Sequence, residues 1–182
     1  DTAAITAVKT QSEGNNLEHD THRGKENSLV QVNSTTIALA YEGKDRDGFI
    51  STFTISSSGV ITPIQIQNHA NTSEEDDVAN LEHDEDRASH NSLVHVVSDT
   101  YALAYTSHGE DGFISTFTIS SSGVITPIQI QNHANTTEED DVANLEHDEN
   151  KGMHNSLVQV DSDTYALAYT GTDTNGFIST FT

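Results

Sequence analysis

The sequence contains three copies of one long segment. The stretch that begins Asn-Ser-Leu-Val at Asn91 has counterparts earlier and later in the chain, and Phe49, Phe113 and Phe177 mark the same point in each copy, a period of 64 residues. Self-similarity at a fixed period indicates an array of stacked units, each too small to bury its own apolar face. The repeat therefore excludes most single-core folds from the start.

Each copy has the patterning of short strands. In the second copy, residues 92–97 and 100–105 alternate side chains with a period of two, and Ser98 and Asp99 form a two-residue link between them. This pattern predicts two strands joined by a hairpin turn. The small Ala102 and Ala104 share one face of the second strand, which would let a neighbouring sheet approach closely.

Two further strands complete the unit. A glycine-containing turn leads to residues 112–119, and a Ser-Ser-Ser-Gly turn leads to a fourth run that holds Pro127 in this copy and Pro63 in the copy before it. Proline removes a backbone donor and is tolerated mainly at sheet edges, so the fourth strand is predicted at the outer edge. Each copy is thus a four-stranded antiparallel meander, with strands a, b, c and d.

The copies do not fill the chain evenly. Counting strands over residues 1–182 predicts a single array: a strand d at 3–10, complete units at 28–66 and 92–130, and strands a to c at 156–182. The two ends are complementary, because the last unit lacks the strand that the first segment supplies. Since Asp1 is not an initiator residue, we expect a processed form or part of a longer polypeptide.

The composition makes some classes of binding partner improbable. The formal net charge is -22, from 29 acidic and 7 basic residues, and there is no cysteine. Nucleic acid is an improbable partner, because binding to phosphate backbones rests on lysine and arginine. There is no long apolar run, so membrane insertion is not expected. The acidic chain, rich in serine, threonine and asparagine, suits an extracellular or cell-surface protein.

The strand order and turns resemble a known architecture. Residues 90–96, the Gly-Phe-Ile-Ser-Thr-Phe-Thr-Ile run from Gly112 and the Gly-Val-Ile-Thr run from Gly123 are similar in order and turn placement to blades of secreted microbial tandem-repeat β-propellers of the YVTN-like kind. The resemblance implies an all-β fold, a β-propeller-type repeat of four-stranded antiparallel blades. The chain departs from that family in its long acidic links, such as residues 67–80, and in its small number of blades.

One polar motif recurs before each unit. Leu-Glu-His-Asp occurs at residues 17–20, 81–84 and 145–148, and a later position holds Glu26, His90 or His154. Imidazole and carboxylate groups in every copy would bind a metal if several converged. The simpler interpretation is structural, with the motif histidine, such as His83, making a loop hydrogen bond that fixes the crossing between blades.

The turns between strands b and c resemble fragments of calcium loops. The candidate ligands are Asp45, Asp47, Asp111 and Asp173. A complete calcium site needs about 6 to 8 oxygen ligands, and each turn offers two or three. Aspartate and glycine are also ordinary turn formers. Calcium is therefore the one cofactor considered, and no other is expected.

Three triplets match the acceptor pattern for N-glycosylation. They begin at Asn33, Asn71 and Asn135. The last two occupy equivalent places in the long polar links, where a glycosylating enzyme could reach them.

These observations favour a non-enzymatic extracellular structural protein. We expect subunits to assemble with one another into a filament or surface layer by exchange of end strands. The strands involved carry Ile5 and Val8 at one end and Phe177, Ile178 and Phe181 at the other. No nucleophile-elbow sequence occurs, and repetition of the same groups in every unit is not typical of an active site. The alternative is a secreted binding module that recognises glycan or calcium through its loops.

Overall fold

Each copy of the repeat forms one antiparallel sheet in the computed structural model, which describes residues 17–20, 23–64, 81–84, 86–128 and 145–182. The first sheet contains β1 (Lys25–Gln31), β2 (Thr36–Glu42), β3 (Gly48–Ile55), β4 (Ile61–Pro63) and β5 (Leu81–Asp84). The second contains β6 (Ser89–Val97), β7 (Thr100–Thr106), β8 (Gly112–Ile119), β9 (Ile125–Pro127) and β10 (Leu145–Asp148). The third contains β11 (Met153–Gln159), β12 (Tyr165–Thr170) and β13 (Gly176–Phe181). The predicted all-β, antiparallel architecture is confirmed.

The first three strands of each sheet follow the sequence pattern closely. Ser98 and Asp99 link β6 to β7, as the hairpin prediction requires, and Ser98 has a positive φ of 55°. Short 3-10 turns at Lys44–Arg46, His108–Glu110 and Thr172–Thr174 connect the second strand to the third. The described residues contain no helix long and apolar enough to cross a membrane.

The outer strand differs from the prediction. β4 ends at Pro63 and pairs with β3 only at Phe53, Thr54 and Ile55. The free half of the same β3 edge pairs instead with β5, through Gly48, Phe49 and Ile50. The Leu-Glu-His-Asp motif of the second copy, for which the sequence predicts no strand, is a short strand of the preceding sheet. Ile64 N–H still donates to Thr52 O at 2.9 Å beyond the proline, and β5 pairs with the part of the β3 edge that β4 does not cover.

The sheets pack face to face. Ala38, Ala40 and Ile50 of the first sheet form one buried cluster with side chains of the second, among them Leu93 and Leu103. Ala102, Ala104 and Ile114 of the second sheet do the same with Leu157 and Leu167 of the third. The alanines thus permit the close approach that the sequence predicted, because a larger side chain there would hold the sheets apart.

The ring of a propeller is not completed in the described part of the chain. No strand pair there joins the third sheet to the first, and β13 pairs only with β12. The predicted end strand with Ile5 and Val8 lies outside the described residues. The closed propeller therefore stays a prediction.

Candidate functional site

The structure repeats one junction between consecutive sheets. We call the contact between the first and second sheets junction 1, and the contact between the second and third sheets junction 2. At junction 1, β5 pairs with β3 in the register Gly48 to Asp84, Phe49 to Glu82 and Ile50 to Leu81. At junction 2, β10 pairs with β8 in the same register, one period later. The motif strand thus pairs through its backbone with one sheet, and the residues that follow it in sequence form the next sheet.

The motif histidine crosses the junction with its side chain. The ring of His83 packs edge-on against Tyr105 of the second sheet, with centroids 4.8 Å apart and an interplanar angle of 74°. His147 meets Tyr169 of the third sheet at 4.7 Å and 68°. Within the described residues, neither ring nitrogen of His83 hydrogen-bonds to another residue. The predicted role in fixing the crossing is therefore supported, but through ring packing and not through a loop hydrogen bond.

Burial changes the protonation chemistry of these rings. Removal from water disfavours the imidazolium and lowers the pKa of His83 to about 3. The same effect lowers the pKa of His147 to about 4. Both rings are therefore neutral at physiological pH and act as aromatic packing groups.

The motif aspartate closes a turn behind the strand. Asp84 Oδ1 accepts the backbone N–H groups of Asp86 at 3.0 Å and Arg87 at 2.8 Å. Asp148 Oδ1 accepts those of Asn150 and Lys151 at the same distances. This Asx-type turn leads the chain from the motif strand into the next sheet.

A glycine on each third strand provides the space for the histidine. A Cβ added at Gly48 would lie 2.3 Å from Ala88 Cβ and 2.6 Å from the His83 ring. At Gly112 a Cβ would lie 2.3 Å from His147 Cε1 and 2.8 Å from Gly152 Cα. The sequence predicts these glycines only as turn residues, although their recurrence immediately before Phe-Ile-Ser is a signal for a close contact.

Hydrogen bonds repeat across both junctions as well. Ala88 N–H donates to Arg46 O at 3.0 Å, and Gly152 N–H donates to Glu110 O at 2.7 Å. A serine hydroxyl on one inner strand accepts the N–H of a leucine on the next. These pairs are Leu93 to Ser28 and Leu157 to Ser92, both at 2.9 Å.

The later position of the motif lies at a strand bulge with a positive φ in every copy. Glu26, His90 and His154 have positive φ values of 52°, 54° and 55° and sit at bulges of β1, β6 and β11. The rings of His90 and His154 are 4.3 Å apart. Burial and the neighbouring His154 lower the pKa of His90. Bulges of this kind re-aim side chains, and here they bring neighbouring inner strands into contact.

The structure does not assemble the predicted metal ligands. Asp45, Asp47, Asp111 and Asp173 lie in or beside the 3-10 turns of three different sheets. Among the residues that the structure describes, no three histidine, aspartate or glutamate side chains are close enough to hold a metal ion. The motif histidines His83 and His147 pack against tyrosines, whereas His90 and His154 pack against each other. Nothing in the described residues thus supports the calcium prediction.

One of the predicted glycosylation positions can be located. Asn33 Oδ1 accepts the N–H groups of Thr35 and Thr36, both at 2.9 Å, and its Nδ2 donates to Ser121 O at 3.0 Å. Because glycosylation modifies Nδ2, a glycan there would be attached to the atom that donates this hydrogen bond across junction 1. Asn71 and Asn135 lie outside the described residues.

Comparisons with known proteins show a distant structural likeness. No protein-family profile matches the chain, and no curated protein matches its sequence. The crystal structure of an alpha-L-arabinofuranosidase from Lactobacillus brevis is similar over 91% of this chain, with 11% sequence identity and a TM-score of 0.44. The chain spans 56% of the length of that protein.

Proposed function

We propose that the chain is a non-enzymatic, extracellular structural protein, a β-propeller-type repeat subunit that assembles with itself into a filament, surface layer or closed ring. The observation that carries this proposal is an unequal exposure of equivalent side chains. Ile50 and Ile114 are buried at the junctions, at 0% and 8% exposure, whereas the equivalent Ile178 of the third sheet is 78% exposed.

The first sheet shows the matching feature on its inner strand. Leu93 and Leu157 are 4% and 7% exposed because each packs on the preceding sheet, whereas the equivalent Leu29 is 61% exposed. Other apolar side chains of the first sheet, such as Tyr41 and Phe53, are buried. Apolar side chains placed as in a junction, but left in water, are typical of an interaction surface.

The high negative charge fits the same proposal. A net charge of -22 opposes unspecific clumping, so association would rest on the matched apolar faces and the strand edge. Extracellular location is part of the proposal and rests on the acidic composition and the resemblance to secreted repeat proteins.

Sedimentation velocity at increasing protein concentration tests the proposal. We expect the wild-type chain to form larger species, and Ile178→Asp to stay monomeric because a carboxylate cannot enter the apolar junction. Val97→Asp is the matched control, since Val97 is 57% exposed and its replacement adds the same charge away from the open face. A wild-type chain that sediments as a compact monomer at high concentration would refute self-assembly.

A further inference from the structure

Both halves of a third junction are present at opposite ends of the described chain. The third sheet repeats the receiving half, and the segment Leu17 to Asp20 with the start of the first sheet repeats the entering half. The two existing junctions, which share one register and one set of hydrogen bonds, define what a third must look like.

The receiving half is open at the strand edge. β3 and β8 each bind a motif strand along their first three residues, whereas β13 pairs only with β12 in the described part of the chain. Gly176 begins β13 as Gly48 begins β3 and Gly112 begins β8. A Cβ added at Gly176 would meet no atom within 4 Å, so the space that His83 and His147 fill at the other junctions is vacant here.

The entering half already makes the contacts within its own sheet that the other two motif segments make. The His19 ring packs edge-on against Tyr41, with centroids 4.7 Å apart and an angle of 73°, which matches the other two motif histidines. Asp20 Oδ1 accepts the N–H of Arg23 at 2.6 Å, as the other motif aspartates accept theirs. Yet residues 17–20 form no strand, and no strand among the described residues pairs with them.

We infer that Leu17 to Asp20 of one copy pairs with β13 of a second copy, in the register Gly176 to Asp20, Phe177 to Glu18 and Ile178 to Leu17. His19 and Gly24 then pack on Gly176, as His83 and Ala88 pack on Gly48. This inference rests on the proposed function and names the partner, a second copy of this chain bound head to tail.

The remaining contacts of the junction follow by equivalence. Gly24 N–H would donate to Thr174 O of the other copy, and Leu29 N–H would donate to Ser156 Oγ. Leu29 would pack on the alanine face of the third sheet, formed by Ala166, Ala168 and Ile178. The contact is heterologous, so successive copies form a ring if the rotation closes and a filament if it does not.

Engineered cysteines test the register, because the natural chain has no cysteine. Residues directly opposite in an antiparallel pair are close enough for a disulfide. Leu17→Cys combined with Ile178→Cys is expected to give disulfide-linked multimers on a non-reducing gel. Leu17→Cys combined with Thr180→Cys, two residues out of register, is the matched control and is expected to give few.

Gly176→Ala provides an independent test. The substitution meets no atom within the chain, so we expect an unchanged melting temperature at low concentration, together with loss of wild-type assembly in sedimentation. Assembly that survives Gly176→Ala, or equal cross-linking by the control pair, would overturn this junction while leaving self-assembly intact. A disulfide formed within one chain would overturn the second copy as partner. A wild-type chain that never assembles would refute the proposed function itself.

Discussion

His83 shows how one buried side chain ties stability to pH. The folded chain keeps this ring neutral, because burial lowers its pKa to about 3, while the unfolded chain binds a proton near the ordinary value of 6.5. A depressed pKa in the folded state means that stability is complete above about pH 6.5 and declines as pH falls toward 3. His147 acts in the same direction, with a pKa of about 4.

Replacing this imidazole should flatten the pH dependence. We expect the free energy of unfolding of the wild-type chain to fall by about 1.4 kcal/mol in total for each such histidine as the pH drops from about 7.5 to about 5.5. His83→Gln removes one titrating group and should reduce that fall by the same amount. Urea unfolding at a series of pH values above about 5.5 keeps carboxylate protonation small. A His83→Gln slope equal to the wild-type slope would contradict the role given to the ring.

At the scale of the element, alternation in sequence predicted the first three strands of each sheet but not β5. Residues 92–97 and 100–105 carry their partner in the same hairpin, so local patterning and turn chemistry specify both. β5 is rich in charged residues, which strands disfavour, and its partner β3 lies beyond a long link. Its strand conformation comes from the vacant edge of β3 and from burial of His83, which are tertiary effects.

The Asx turn after β5 should contribute to the free energy of unfolding, and the exposed residue Asp86 beside it should not. Asp84→Ala removes an oxygen that accepts two backbone N–H groups, so we expect the free energy of unfolding to fall by about 1 to 2 kcal/mol. Asp84→Asn keeps that oxygen and should cost less. Asp86→Ala, at an exposed position two residues away, is the control and should have little effect. Thermal or urea unfolding of the three variants provides the comparison, and an equal loss in Asp84→Ala and Asp86→Ala would refute the turn's contribution.

At the scale of the whole molecule, the repeat predicted stacked sheets, but the distribution of exposed surface required the structure. Nearly the same sequence surrounds Leu29, Leu93 and Leu157, and only the presence of a preceding sheet distinguishes them. Whether a ring closes also depends on the angle between sheets, which no local pattern encodes.

The two leucines offer a matched test of this difference. Leu93→Ala should lower the free energy of unfolding by about 2 to 4 kcal/mol, because it leaves a cavity in junction 1. Leu29→Ala, at low concentration, should change it by less than about 0.5 kcal/mol, since that side chain is exposed. At high concentration Leu29→Ala should weaken self-association, although it hardly changes the stability of the single chain. Similar losses of stability in the two variants would show that Leu29 is already packed.

The sameness of the junctions also bears on how the chain reaches its fold. β3 and β8 have the same sequence, as do β5 and β10, and residues 49–85 differ from 113–149 only at Ser73 and Thr137. The contacts themselves therefore cannot distinguish correct from crossed pairing, and the choice falls to the lower entropic cost of closing the shorter link. Refolding at high concentration should therefore pass through kinetic traps in which a motif strand has docked on the wrong sheet or on another chain.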